Sequence, residues 1–122
     1  MDMNENLLSK SMIVNIECHF WIIREFLPHM LETNKGQIVS VASMAGLVGN
    51  PYMTDYCASK FAACGMMESL RIELKRAKKD IVCTTICPGF INTGMFAGAK
   101  GSLIFPVLEQ DYVIKRMTNG IL

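Results

Sequence analysis

The sequence predicts an α/β fold in which a parallel sheet is covered by helices. Two observations lead to this fold class. Helix-like and strand-like segments alternate along the 122 residues. Both strand-like segments are also short, β-branched and almost continuously apolar, which is typical of strands buried on both faces. Parallel strands of this kind are joined by crossover helices. The length allows a single domain, residues 1–122.

The first predicted element is a helix over residues 5–33. Its apolar residues recur at helical spacing, and Pro28 is expected to kink its last turns. The recurring positions are Ile16, Phe20, Ile23, Leu27 and Met30.

Two strands and two further helices follow. Residues 37–42 (QIVSVA) and 81–87 (IVCTTIC) predict the strands, and the second strand is ended by Pro88 and Gly89. Residues 54–78 predict a helix between them, and the substrate-side segment 94–122 predicts a last helix that begins near Val107 or Gln110. The expected core stripe of the middle helix consists of Ala63, Met67, Leu70, Leu74 and Ala77.

Composition argues against several functional classes. The 12 Lys and Arg nearly balance the 11 Asp and Glu, so there is no field of one sign to attract nucleic acid. The 5 cysteines form no CxxC pair, and with only 2 histidines they predict reduced, mostly buried thiols of an intracellular protein and no metal site. The uncharged stretches 36–54 and 81–99 approach the ~20 residues of a spanning helix. Glycine and proline interrupt both, so no transmembrane segment is predicted.

Four polar side chains are predicted to meet at one edge of the sheet. Ligands of open parallel sheets bind beyond the carboxyl ends of the strands. Ser43 follows the first strand and Thr93 follows the second, while Tyr56 and Lys60 lie one turn apart on the helix between them. A phenol ionises only near pH ~10, and a neighbouring ammonium favours its charged form, so the Tyr56 and Lys60 pair is suited to proton transfer.

Each candidate residue also has a purely structural interpretation. Tyr56 and Lys60 can be an ordinary exposed helical pair, and Ser43 can be a turn residue. Asn15 can be a tolerated polar residue of the first helix, and Thr93 can be a helix cap. The combination favours a site, because all of these interpretations would have to hold at once.

The chain resembles the catalytic half of the short-chain dehydrogenase/reductase family. The likeness rests on GQIVSVASMAGLVGNPYMTDYCASKFAACG (36–65) and CPGFINTG (87–94), and it covers roughly residues 5–98. YxxxK alone is a weak signal, but a serine thirteen residues earlier and a P-G-x-I-x-T loop after the next strand make it specific. The tail more loosely resembles the branch that acts on retinoids and hydroxysteroids. The resemblance implies a partial Rossmann-like fold, a doubly wound parallel sheet whose N-terminal cofactor-binding half is missing.

The resemblance also implies a role for each residue. Tyr56 would move the proton of the alcohol while hydride passes to NAD or NADP, and Lys60 would hydrogen-bond the nicotinamide ribose. Ser43 would bind the oxygen of a small apolar alcohol or carbonyl substrate, and Asn15 would support a water relay to Lys60. The remaining cofactor-binding residues would be Pro88, Gly89, Ile91 and Thr93, with Tyr56 and Lys60 themselves.

Two functions remain open at this point. The first is an NAD(P)-dependent oxidoreductase of alcohol and carbonyl pairs, located in the cytoplasm or at the surface of the endoplasmic reticulum or lipid droplets. The second is a truncated or pseudogene-like product without activity, which at most pairs with full-length relatives. The second stays open because the chain has neither the glycine-rich TGxxxGxG-type loop that cradles the pyrophosphate nor the NNAG-type segment of complete members.

Apolar side chains that lie off the core stripe of two helices predict a homo-oligomer. The middle helix carries no full charge between Lys60 and Glu68, and part of it faces away from the predicted core stripe. The residues on that side are Cys57, Phe61 and Cys64, and the first helix carries Phe20 and Trp21 in the same situation. The resemblance implies that such helices pair with their copies across a two-fold axis, through residues 12–27 and 57–71.

Overall fold

In the computed structural model, which describes residues 4–94 and 106–122, helices pack on a parallel two-stranded sheet. The elements are α1 (Glu5–Met12), a π-helical segment (Ile13–Glu17), α2 (Cys18–Thr33), β1 (Gly36–Val41), a 3-10 turn (Met44–Gly46), α3 (Thr54–Arg76), β2 (Ile81–Ile86) and α4 (Gln110–Ile121). The strands pair in parallel from Gly36 opposite Ile81 to Val41 opposite Ile86. The predicted α/β fold class with a parallel sheet is therefore confirmed.

The first helical stretch departs from α-helical geometry in its middle. Asn4 caps its start, because the side-chain oxygen accepts the backbone N–H groups of Asn6 and Leu7. The hydrogen-bond pattern changes to π over Ile13–Glu17, whereas α2 runs as an α-helix through Pro28. A π segment inside a long helix often lies at a functional site, and here it carries Asn15.

The core lies where the π segment, the end of β1 and the middle of α3 meet. Ile16, Ala42 and Ala63 form the buried cluster, and Met12, Cys64, Met66 and Cys87 pack against it. Small side chains at Ala42 and Ala63 allow the helices to approach the strand closely. On the alternate face of β1, the Gln37 side chain donates a hydrogen bond of 2.8 Å to the Ile121 carbonyl of α4.

The predicted core stripe of α3 is partly wrong. Ala63, Met67 and Leu74 are buried, but Leu70 is half-buried and Ala77 is exposed, because the helix ends at Arg76. The structure buries two further residues of α3, Cys57 and Ser59.

The predicted free side of α3 is narrower than expected. Cys57 is only 7% exposed, and its sulfur accepts the Asn50 backbone N–H at 3.4 Å. Cys64 lies beside Cys87. Phe61 alone of the three is exposed, at 46%. The physical reason is that the loop after β1 packs on the first turns of α3 from a direction other than the sheet. The periodicity of the helix alone cannot indicate this contact.

Candidate active site

The loops after the two strands meet at one edge of the sheet. Both strands end there because they are parallel. The backbone N–H of Met44 donates to the carbonyl of Pro88 at 2.9 Å, which joins the two loops directly. A methyl group built on Gly89 would lie 3.3 Å from the Met44 sulfur, so the contact is close. The expectation that both loops open at the same edge therefore agrees with the geometry.

Ser43 begins the 3-10 turn of the first loop. Its backbone is extended, and its hydroxyl oxygen accepts the N–H of Ala45 at 3.1 Å. The turn interpretation of Ser43 thus holds in this structure. Ser43 can still bind a ligand, because a serine hydroxyl that accepts one hydrogen bond still has its own proton to donate.

Gly46 brings this turn against the backbone of α3. A methyl group on Gly46 would lie 2.6 Å from the carbonyl oxygen of Lys60 and 2.8 Å from the Cys64 sulfur. No residue with a side chain fits there without moving the helix. Glycine at position 46 therefore allows the Ser43 turn to lie directly against the backbone of Lys60.

Lys60 extends back toward the carboxyl end of β1. Its ammonium donates to the carbonyl of Val41 at 3.4 Å and lies 5.6 Å from the centroid of the Tyr56 ring. Burial lowers the pKa of Lys60, and the nearby thiols of Cys64 and Cys18 oppose this shift. The ammonium has three N–H donors, so the contact with Val41 leaves two for a ligand.

Tyr56 presents a hydroxyl without a hydrogen-bond partner among residues 4–94 and 106–122. The residue is half-buried in the first turns of α3, one helical turn before Lys60. No hydrogen bond connects Tyr56 to Ser43 within the same described ranges. The two side chains share the edge of the sheet and are free to contact a common ligand.

Asn15 contacts α3 through Ser59, a residue that the sequence analysis did not assign. Its side-chain amide donates to the hydroxyl of Ser59 at 3.1 Å, and to that of Ser11 at 3.4 Å. Ser59 is 0% exposed, and its hydroxyl donates to the backbone carbonyl of Tyr56 at 2.7 Å. Asn15 therefore reaches the Tyr56 turn through Ser59, and no direct bond to Lys60 appears among the described residues. Ser59 had a sequence signal, since it is a small polar residue between Ala58 and Lys60 on the predicted helix.

His19 is a second residue near the site that the sequence analysis did not assign. It lies one turn after Asn15, and its Nδ1 is 3.5 Å from the hydroxyl of the buried Ser40. Burial and, to a smaller extent, the charge of Lys60 lower the pKa of His19. The imidazole is therefore neutral at physiological pH and adds no positive charge beside Lys60.

The predicted cofactor wall follows β2 without forming a helix or strand of its own. Pro88, Gly89 and Ile91 are half-buried, and Thr93 is exposed. Ile91 pairs in an isolated parallel bridge with Leu108, which fixes the far end of the loop. Residues 95–105 lie outside the described part of the chain. Part of the predicted substrate-side segment 94–122 falls on these residues. The predicted cap role of Thr93 concerns the residues that border them.

Metal and membrane features are absent from the described residues. No three His, Cys, Asp or Glu side chains within 4–94 and 106–122 come close enough to hold a metal ion. In the same ranges, none of the helices is both long and apolar enough to cross a bilayer.

The arrangement defines a class of protein. A parallel β–α–β unit carries a serine after its first strand, a Tyr-x-x-x-Lys pair on its helix and a Pro-Gly loop after its second strand, as in nicotinamide-dependent dehydrogenases. The family model of the short chain dehydrogenases matches residues 1–102. The chain belongs to this family.

The similar curated proteins are members of the same family. The chain is 48% identical over 121 residues to short-chain dehydrogenase/reductase family 16C member 6 of Bos taurus, covering 97% of this chain and 38% of that protein. It is 46% identical over 127 residues to retinol dehydrogenase 10-B of Danio rerio, covering 100% of this chain and again 38% of that protein. The chain thus spans well under half the length of the curated relatives it matches.

Solved structures agree on the fold. A 4-hydroxyisoleucine dehydrogenase complexed with NADH superposes with a TM-score of 0.73 at 30% identity, covering 93% of this chain and 51% of that one. ElxO with NADP bound superposes with a TM-score of 0.82 at 23% identity, covering 99% of this chain and 53% of that one. The chain therefore has part of the Rossmann-like fold, about half of each solved structure.

Proposed function

We propose that this chain forms the catalytic part of an NAD(P)-dependent oxidoreductase that interconverts an alcohol and a carbonyl on an apolar, retinoid- or steroid-like substrate. The observation that carries the proposal is the placement of Lys60. Its ammonium is held at the Val41 carbonyl beside Tyr56, whose hydroxyl has no partner among the described residues. Proton transfer at an alcohol needs a titratable group close to the reacting oxygen. A phenol without a partner, beside a partly buried cation, supplies such a group.

The residues present fit a nicotinamide cofactor at this edge. A bound nicotinamide would supply the hydride chemistry between the alcohol carbon and the carbonyl. The two remaining N–H donors of Lys60 would hold ribose hydroxyls, and the loop from Pro88 to Thr93 would line the ring. The solved relatives named above were determined with NADH and with NADP, so both cofactors stay within the proposal.

The chain's own residues divide the remaining chemistry. Ser43 donates a hydrogen bond from its hydroxyl to the substrate oxygen and so orients the substrate. Tyr56 takes the alcohol proton at its hydroxyl oxygen during oxidation and returns it during reduction. Lys60 stabilises the charged phenolate electrostatically. Asn15 would support a water relay through its backbone or its side-chain oxygen, since its side-chain NH2 group donates to Ser59 and Ser11.

An apolar substrate is supported by the loop between Ser43 and Tyr56. Leu47 is 59% exposed, Val48 is 57% exposed and Tyr52 is fully exposed, all next to the candidate site. Such a rim favours a hydrocarbon ligand over a polar metabolite. The names of the retinol dehydrogenases among the relatives point the same way.

Self-association and location complete the proposal. A groove of about 440 Å³ separates the first helical stretch from α3, between Phe20, Met66 and Leu70, and Trp21 and Phe61 are exposed beside it. These surfaces support a homo-oligomer through residues 12–27 and 57–71. From the family resemblance we also propose a location in the cytoplasm or at the surface of the endoplasmic reticulum or lipid droplets.

The proposal is tested in a form of the protein that also carries the glycine-rich cofactor-binding half, by substrate-dependent reduction of NAD+ or NADP+ with retinol and with a hydroxysteroid. Tyr56→Phe should lower turnover at least about a hundredfold, because it removes only the oxygen that carries the proton. Tyr112→Phe is the matched control, since Tyr112 is exposed on α4, and it should retain full turnover. Full turnover by Tyr56→Phe would refute the assignment. Absence of turnover in the unaltered protein with every substrate would favour the inactive alternative.

A further inference from the structure

Two cysteine side chains face each other beneath the candidate site. The sulfur atoms of Cys64 and Cys87 lie 3.8 Å apart, although 23 residues separate them in sequence. Cys64 lies one helical turn after Lys60 on α3, and Cys87 lies between the end of β2 and Pro88. Both are free thiols of intermediate exposure.

The pair lies among the three segments that carry the candidate site, which are α3, the Ser43 turn and the loop that begins at Pro88. Both residues pack against the core cluster of Ile16, Ala42 and Ala63. The close contact between Gly46 and the Cys64 sulfur brings the Ser43 turn onto the pair. Cys87 precedes Pro88, whose carbonyl accepts the hydrogen bond from the Ser43 turn.

The geometry is near to that of a disulfide. A disulfide bond is about 2.05 Å long, so the sulfur atoms must approach by roughly 1.8 Å. Rotation of one or both side chains about χ1 is the movement that would bring the sulfur atoms into bonding distance. None of the three remaining cysteines forms a sulfur contact of this kind within the described residues.

We propose that Cys64 and Cys87 are a reversible disulfide-forming site, closed by exchange with a low-molecular-weight disulfide such as oxidised glutathione. One cysteine thiolate attacks the external disulfide, which breaks its S–S bond, releases one glutathione thiolate and forms a mixed disulfide. The second cysteine thiolate attacks the protein sulfur of that mixed disulfide and displaces the second glutathione. The two cysteines lose two protons and two electrons in total, and the two released glutathione thiols gain them.

The environment sets the rate of this exchange. Burial, and after it the hydrogen bond with Cys87, raises the pKa of Cys64 to about 11, against the opposing charge of Lys60. The thiolate is the reacting species, so exchange is slow at neutral pH and accelerates in mildly alkaline buffer. A reducing thiol reverses it, as expected of a transient intracellular disulfide.

Closure of the bond would restrain the site. It would tie the turn after Lys60 to the residue before Pro88, and so fix the distance between the candidate catalytic helix and the cofactor wall. The pairing itself does not depend on the proposed function, whereas its consequence for catalysis does. The two are therefore tested by separate measurements.

The test is incubation of the 122-residue chain with oxidised glutathione in mildly alkaline native buffer, followed by blocking of free thiols and tryptic peptide mass spectrometry. We expect a cross-linked pair of peptides 61–71 and 80–100, formed within one molecule and lost on reduction. Peptide 80–100 also contains Cys83, so Cys83→Ser is the matched control and should leave the cross-link unchanged. Cys87→Ser should abolish it.

Three outcomes would overturn the proposal. They are a glutathione adduct on Cys64 and Cys87 without cross-linking, a statistical mixture of pairs among the five cysteines, and a cross-link that survives Cys87→Ser. The coupling to the site has its own measurement, amide hydrogen exchange of residues 43–46 and of Gly89, since Pro88 has no amide hydrogen. Exchange there should slow at least about threefold in the oxidised chain, because a new restraint limits local opening. Unchanged exchange would refute the coupling.

Discussion

The two ends of α3 are built differently. At its site end (residues 56–64), Ser59 and Ala63 are 0% exposed, and Lys60 and Cys64 contact the strands or the residues that follow them. At its far end (residues 68–76), Leu74 is the one buried side chain among those residues. There Arg71 and Glu68 form an exposed ion pair at 2.7 Å.

The difference shows how one helix serves two purposes. The site end is contacted by the sheet, the Ser43 turn and the π segment, so its side chains have little freedom to move. The far end contributes length and solubility, and exposed ion pairs of this kind add little to stability. Substitutions with the same chemistry should therefore have very different effects at the two ends.

The largest effect is expected from Ala63→Leu. Ala63 is fully buried against Ile16 and Ala42, so three extra carbon atoms would force the helix away from β1 and cost about 1–3 kcal/mol of the free energy of unfolding. Ala62→Leu is the matched control, because Ala62 is exposed and should tolerate the same change. Urea unfolding of the two variants measures the difference. Equal midpoints would show that the site end is not tightly packed.

A smaller effect is expected from Ser59→Ala. The substitution removes the hydroxyl that accepts from Asn15 and donates to the Tyr56 carbonyl, and the loss of a buried hydrogen-bonded group costs about 1–2 kcal/mol. Ser69→Ala is the control on an exposed turn of the same helix and should be neutral. In thermal unfolding, a Ser59→Ala variant as stable as Ser69→Ala would contradict the role given to the Asn15 and Ser59 bridge.

The smallest effect is expected at two residues that have positive φ, one before α3 and one after it. Tyr52 has φ 62° and is fully exposed, and Lys78 has φ 54° just after the helix. Because glycine adopts this backbone without strain, Tyr52→Gly and Lys78→Gly should each stabilise the chain by about 0.5 kcal/mol. Tyr52→Gly should also change the KM for an apolar substrate, whereas Lys78→Gly should not. Destabilisation by Tyr52→Gly, measured in the same urea titration, would mean that the Tyr52 side chain makes a contact that stabilises the fold.

Sequence and structure agree where the information is local. The strands could be predicted because their apolar runs end at glycine and proline, and the positions of Ser43, Tyr56 and Lys60 at one edge follow from parallel topology. The burial of Cys57 and the partial burial of Cys64 could not be predicted, because both depend on loops that pack on the helix from outside its own periodicity. The bond between Asn15 and Ser59 joins residues 44 apart in sequence, and its geometry depends on a π segment that has no simple sequence pattern.

The central claim is that the protein's own packing holds the site end of α3 in place. Native-state amide hydrogen exchange of the chain tests it most directly, because it reports opening at each residue without requiring a cofactor or substrate. We predict that the amides of residues 59–64 exchange at least about tenfold more slowly than those of residues 70–76, and that the two groups converge in denaturant. Equal rates in native buffer, or faster exchange at the site end, would contradict the claim.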